Sequence, residues 1–226
     1  MSAPVTLPVT FSTAVAAGIT ASQALAAAGN LTIGGTLASG GVATLTAYGV
    51  ERPVIITSAG NDSGITFTVY GTNASGNPVQ QTVTGTNAGV ATTTTYFYQV
   101  TRIAASGAVA TTVTAGTSGV MASRWLVLNY NAAPFTLGIG VVVSGTINYT
   151  LQYTYDDVQV VSAPTPSLPA IPVLPTAWDL TALASKTANT DSSITAPVTA
   201  VRLKINSGTA PASATATIIQ AGLGSP

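Results

Sequence analysis

The chain has 226 residues, 46% of them apolar and only 5% charged, with six basic residues balanced by six acidic ones and no cysteine or histidine. That supports a real core in one large or two small domains, and it excludes disulfides, thiolate metal sites, imidazole catalysis and a basic footprint for nucleic acid. By size scaling the folded chain exposes about 9,400 Å², so its charges stand one per ~800 Å², the area one partner gives to a standard interface.

In chain order, residues 1–17 read as an extended arm without strand alternation. The run "FSTAVAAGITASQALAAAG" is the best imitation of a targeting or membrane segment, yet it has no basic region before it and is punctuated by Thr, Ser and Gly. No membrane insertion is expected. The helical-looking "SQALAAAG", Ser22 to Gly29, is short and small-sided and reads as extended.

From there on, period-two alternation with β-branched and aromatic residues predicts strands at "NLTIGGT", "GVATLTA", "RPVIITS", "ITFTVYG", "VQQTVTG", "TYFYQVTRI" and "VATTVTAG". The fourth and fifth flank a Gly/Asn/Pro turn and form a hairpin without a single charge. After a turn at residues 116–123 come "SRWLVLNYN", "FTLGIGVVV", "INYTLQYTYDD", "VTAVRLKIN" and "ATATIIQAG". Between the third and fourth of these lies the proline-rich run "APTPSLPAIPVLPT", Ala163 to Thr176. Only two strands follow it, too few to stand alone, so it reads as a loop inside a domain.

The predicted class is all-β: two antiparallel β-sandwich or jelly-roll-like domains, at 18–120 and 121–226, behind the arm at 1–17. The loop 163–176 belongs to the second.

The phrases "ERPVIITSAGNDSGITFTVYGT" and "SGTINYTLQYTYDDV", with "PVTAVRLKINSGT" and "ATIIQAG" near the end, resemble segments of structural proteins from tailed-bacteriophage virions. The likeness spans most of residues 30 to 226, and its second half, from about residue 121, is similar to a unit that occurs alone as a small phage protein. The resemblance implies a head, neck or tail component and transfers no catalytic residues.

Little in the chain suggests chemistry. The carboxylates Glu51, Asp62, Asp156, Asp157, Asp179 and Asp191 show no spacing for a paired acid and base. Asp156 and Asp157 could offer two oxygens to calcium, but neighbouring strand residues point to opposite faces, so they read instead as a strand end and turn, pairing with an arginine such as Arg124 or Arg202. Asp62 reads as a turn residue bonding local amides. The glycines of "GIGVVVSG", Gly138 to Gly145, lack phosphate-loop spacing and are expected to allow close backbone approach. Sequons at Asn30, Asn61, Asn73 and Asn148 match chance in so Asn- and Thr-rich a chain.

Aromatics gather in "TYFYQ", around Trp125 and Tyr130, and in "NYTLQYTY", where Tyr149, Tyr153 and Tyr155 share one strand face. Such a stripe is core, a protein-interface anchor or a platform for sugars. The expected function is a capsid cement or decoration protein, with no enzymatic activity, cofactor or metal, clamping neighbouring major capsid subunits at the virion surface after synthesis in the bacterial cytoplasm. Its expected partners are the major capsid protein and copies of itself, a trimer among the arrangements, with neither nucleic acid nor membrane. The alternative is a tail, neck or head-fibre protein with a face for host glycans.

Overall fold

A computed structural model describes residues 4–132, 134–158 and 174–220. These residues are all-β, with nineteen strands and one short 3-10 turn at Thr181–Leu183. They fall into two compact units: residues 14–119 form one, and the remaining described residues form the other.

In the 14–119 unit one sheet has the order β2 (Val15–Gln23), β11 (Val113–Thr117), β6 (Val50–Ser58), β9 (Val90–Phe97). The other runs β4 (Ala38–Ser39), β5 (Val42–Thr44), β10 (Gln99–Ala105), β7 (Thr66–Thr72), β8 (Pro78–Thr84), with β3 (Gly29–Leu31) also on β10. Alternation sorts the side chains: Phe67, Val69, Phe97, Val100 and Ile103 join Ile19, Val54 and Ile56 in one buried cluster. "TYFYQVTRI", expected as one strand, is two, because the chain passes at Tyr98 from pairing with β6 to pairing with β7.

The uncharged hairpin is β7 and β8. Its turn closes on Asn73, whose Oδ1 accepts the amides of Ser75 (3.0 Å) and Asn77 (2.9 Å), while Gly76 takes a left-handed φ of 82°. Across the strands Thr68 Oγ1 and Thr82 Oγ1 are hydrogen-bonded at 2.8 Å, and the Gln81 side chain bonds Thr94 Oγ1 and the Thr95 amide. Uncharged side chains thus satisfy one another laterally.

In the C-terminal unit one sheet runs β1 (Val5–Thr10), β19 (Ser213–Gln220), β14 (Leu137–Ser144), β17 (Thr190–Ile194). The other has β18 (Ala200–Gly208) between β15 (Ile147–Thr154) and the short β12 (Met121–Ser123) and β13 (Leu126–Val127), with β16 (Trp178–Asp179) on the free side of β15. The two sheets pack face to face over Leu7, Val9, Leu137, Ile139, Ile218, Tyr149, Leu151, Leu203 and Ile205, all buried.

Two expectations change here. The arm expected at 1–17 is not free over its described part, residues 4–17: β1 pairs with β19 from Val5↔Ile218 to Thr10↔Ser213, its Val5, Leu7 and Val9 turned inward, and residues 15–17 already belong to β2. Pro8, which cannot donate to a ladder, is tolerated because β1 is an edge strand. The first unit therefore begins at residue 14, and its division from the second falls between Gly119 and Val120. The "SQALAAAG" run is not helical, as expected; β2 continues through Gln23 into bends. Most of the proline-rich run, residues 163–173, lies outside the described residues.

Candidate functional site

The sheet β16-β15-β18-β13 organises the aromatic residues. Its inward face carries Ile147, Tyr149 and Leu151 of β15 beside Val201, Leu203 and Ile205 of β18. Tyr149 is fully buried, its hydroxyl donates to the Ala188 carbonyl at 3.0 Å, and its backbone exchanges two 2.8 Å hydrogen bonds with Lys186. It is a core residue, and the expected surface stripe loses it.

At the end of β15 and just past it, aromatic residues emerge into solvent. Tyr153 is half-buried and Tyr155 is 55% exposed, their rings edge to face with centroids 5.6 Å apart. Register places Trp178 directly opposite Tyr153, and Trp178 is 52% exposed. The exposed aromatic group is therefore Tyr153, Tyr155 and Trp178. Burial, then the neighbouring Tyr155 and its hydrogen bond, raise the Tyr153 phenol above its ordinary range. Trp178 is absent from the sequence reading because it stands alone after the prolines; "AWD" gives too short an alternation to announce a strand.

The opposite face of the adjacent rung is polar. Arg202 Nε donates to Gln152 Oε1 at 2.8 Å, Gln152 Nε2 donates to Asp179 Oδ1 at 2.7 Å, and the Arg202 guanidinium lies 4.5 Å from the centre of the Trp125 ring. Gln152 and Arg202 are buried, so this connected row satisfies polar groups that would otherwise be costly to desolvate.

Asp156 has a structural task. Its Oδ2 accepts the Thr176 amide at 2.6 Å, tying together the chain on either side of the 157–175 segment, and its carbonyl accepts from the Thr199 hydroxyl. Among the described residues no group of three or more potential metal-ligating side chains occurs. Nor is any described helix long and apolar enough to cross a membrane.

Asp62 departs from its expected local role. It is fully buried, and its Oδ1 accepts the amide of Ala110, 48 residues away, at 2.7 Å; Asn61 makes the local bonds to Ser63 instead. Of the glycines in "GIGVVVSG", Gly145 meets the expectation, since it has a φ of 76° and a Cβ there would lie 3.0 Å from the Pro211 carbonyl oxygen, whereas Gly138 and Gly140 do not. A Cβ at Gly140 would meet nothing within 4 Å and one at Gly138 only ordinary contacts, so these two permit no close approach; Gly116, whose Cβ would lie 1.9 Å from the Val15 carbonyl oxygen, does. Of the "TYFYQ" aromatics, Phe97 is core, and Tyr98 is half-buried with Tyr48 edge-on at 6.1 Å.

Charge is distributed unevenly. The 14–119 unit holds Glu51, Arg52, Asp62 and Arg102, and the first three are buried. Glu51 Oε1 accepts the Ala74 amide, Arg52 Nη2 donates to the Ser118 carbonyl, and burial lowers the Arg52 guanidinium to about 10. That leaves Arg102, stacked 3.8 Å over the Tyr70 ring, as the one exposed charge among residues 14–119. In the C-terminal unit the exposed charged residues among those described are Asp156, Asp157, Asp179 and Asp191, all acidic. The chain matches no protein-family model and no curated protein sequence.

Proposed function

We propose that the protein is a structural component of a tailed-phage particle, a cement or decoration protein that clamps neighbouring major capsid subunits at the capsid surface and acts without catalysis. The observation that carries this reading is the single exposed charge among residues 14–119. A free domain relies on surface charge to keep copies apart. A domain that lives between neighbours gains from its absence, because each charge covered by an interface must be desolvated and paired, whereas Thr, Asn and Gln satisfy their hydrogen bonds locally. The hairpin β7–β8 does this with Thr68, Thr82 and Gln81. The resemblance of several segments to phage virion proteins supports the same reading.

A protein that binds the assembled lattice and not free subunits stabilises the lattice by mass action. Particles assembled without it should rupture or lose DNA at a lower temperature than complete ones and still attach to host cells. Adding back the purified protein should restore the difference, with little dependence on salt because few charges are available to be screened. Particles equally robust without it would refute the cement role. Its absence from purified heads by mass spectrometry would refute the capsid placement.

A further inference from the structure

The C-terminal unit brings together something beyond a neutral assembly surface. Trp178 and Tyr155 each leave about half of their surface to solvent; Tyr153 stands opposite Trp178 in the strand ladder and packs edge to face with Tyr155. Asp156 follows Tyr155 directly, and its Oδ2 is held by the amide of Thr176, two residues before Trp178. The carboxylate is thus fixed between the two segments that carry the rings, and Asp156 itself is exposed. We propose that Tyr153, Tyr155 and Trp178, with Asp156 at their rim, form a binding site for neutral saccharides.

A pyranose offers an apolar C–H face and a girdle of hydroxyls. The first stacks on an exposed aromatic ring; the second donates to a fixed carboxylate oxygen. The second Asp156 oxygen is available for this, since Oδ2 alone is engaged by the described residues. The charges favour this ligand over two others. An acidic glycan would meet Asp156 and Asp157, both exposed, with like charge. A protein anchor seated on the rings would have to desolvate the Asp156 carboxylate, which is costly. A saccharide keeps Asp156 hydrated and hydrogen-bonded. The site stands apart from the capsid role and does not depend on it.

Isothermal titration of the full chain with cello-, malto- and mannohexaose and hexa-N-acetylchitohexaose, each to about 10 mM, tests the site. At least one should bind with a Kd of about 1 mM or tighter, and a hyaluronan hexasaccharide of the same length should bind more weakly. Trp178→Ala and Tyr155→Ala should each weaken binding about tenfold or more, while Trp178→Tyr should retain most of it. Tyr48→Ala, at a 76% exposed ring in the other unit, should bind as the parent does. Absence of heat with all four neutral sugars would overturn the proposal, as would equal binding by Trp178→Ala. Sedimentation showing that Trp178→Ala dissociates an oligomer, without any saccharide binding by the parent, would assign the rings to a self-contact and overturn it as well.

Discussion

Replacing Tyr149 with alanine separates a core aromatic of β15 from the exposed Tyr155 just beyond it. The side chain is fully buried between β15 and the chain that follows η1 (Thr181–Leu183), and its hydroxyl satisfies the Ala188 carbonyl. Removing a buried aromatic ring costs about 3–5 kcal/mol, from lost transfer energy and the cavity left behind. Tyr149→Phe keeps the ring and loses only the hydrogen bond; Ala188 is exposed, so water can replace the donor and the cost is about 1 kcal/mol. Tyr155→Ala, at an exposed ring, should cost about 0.5–1 kcal/mol, the worth of its edge-to-face contact with Tyr153. Both tryptophans of the chain, Trp125 and Trp178, lie in the C-terminal unit, so urea unfolding followed by tryptophan fluorescence reports that unit selectively. The expected order of midpoints is parent, Tyr155→Ala, Tyr149→Phe and, far below, Tyr149→Ala, with a thermal midpoint lowered by roughly 10 °C or more. A Tyr149→Ala midpoint within about 0.5 kcal/mol of the parent, the range of surface changes, would refute the placement of Tyr149 in the core.

Leu7→Ala should destabilise the C-terminal unit by about 2–4 kcal/mol in the same assay, because Leu7 is buried on β1, whereas a free arm would give no change. Asp62→Ala leaves the Ala110 amide without its acceptor and should cost about 1–3 kcal/mol; faster hydrogen exchange at Ala110 is the direct readout, and unchanged exchange would contradict the 2.7 Å contact. The Tyr153 phenol is raised in the folded state, so its contribution is fully present below about pH 10, the ordinary tyrosine value, and is lost as pH climbs through the folded pKa. Tyr153→Phe should accordingly flatten the alkaline decline of the C-terminal unit's stability, and an unaltered decline would contradict the shift.

Composition and alternation in the sequence are enough to establish an all-β chain, because a period of two is a local property that each strand displays by itself. "ITFTVYG" and "INYTLQYTYDD" announce β7 and β15, and the near absence of charge is visible before any folding. Alternation names the face on which a side chain lies. It says nothing of how far along the sheet the core extends, nor of which strand lies alongside. Alternation puts Tyr149 and Tyr155 on one face, yet Tyr149 is buried within β15 and Tyr155 lies in the bend that follows it, 55% exposed. Trp178 meets Tyr153 only through the register of β16 on β15, and Asp62 meets Ala110 only because the fold brings their two loops together. β1 shows the same limit from the other side: "VTLPVT" alternates, but Pro8 obscures it until β19, about two hundred residues away in sequence, makes it an edge strand. Register and sheet order depend on pairings between distant segments, and a one-residue slip would exchange the faces, so these contacts are fixed only when the whole unit packs.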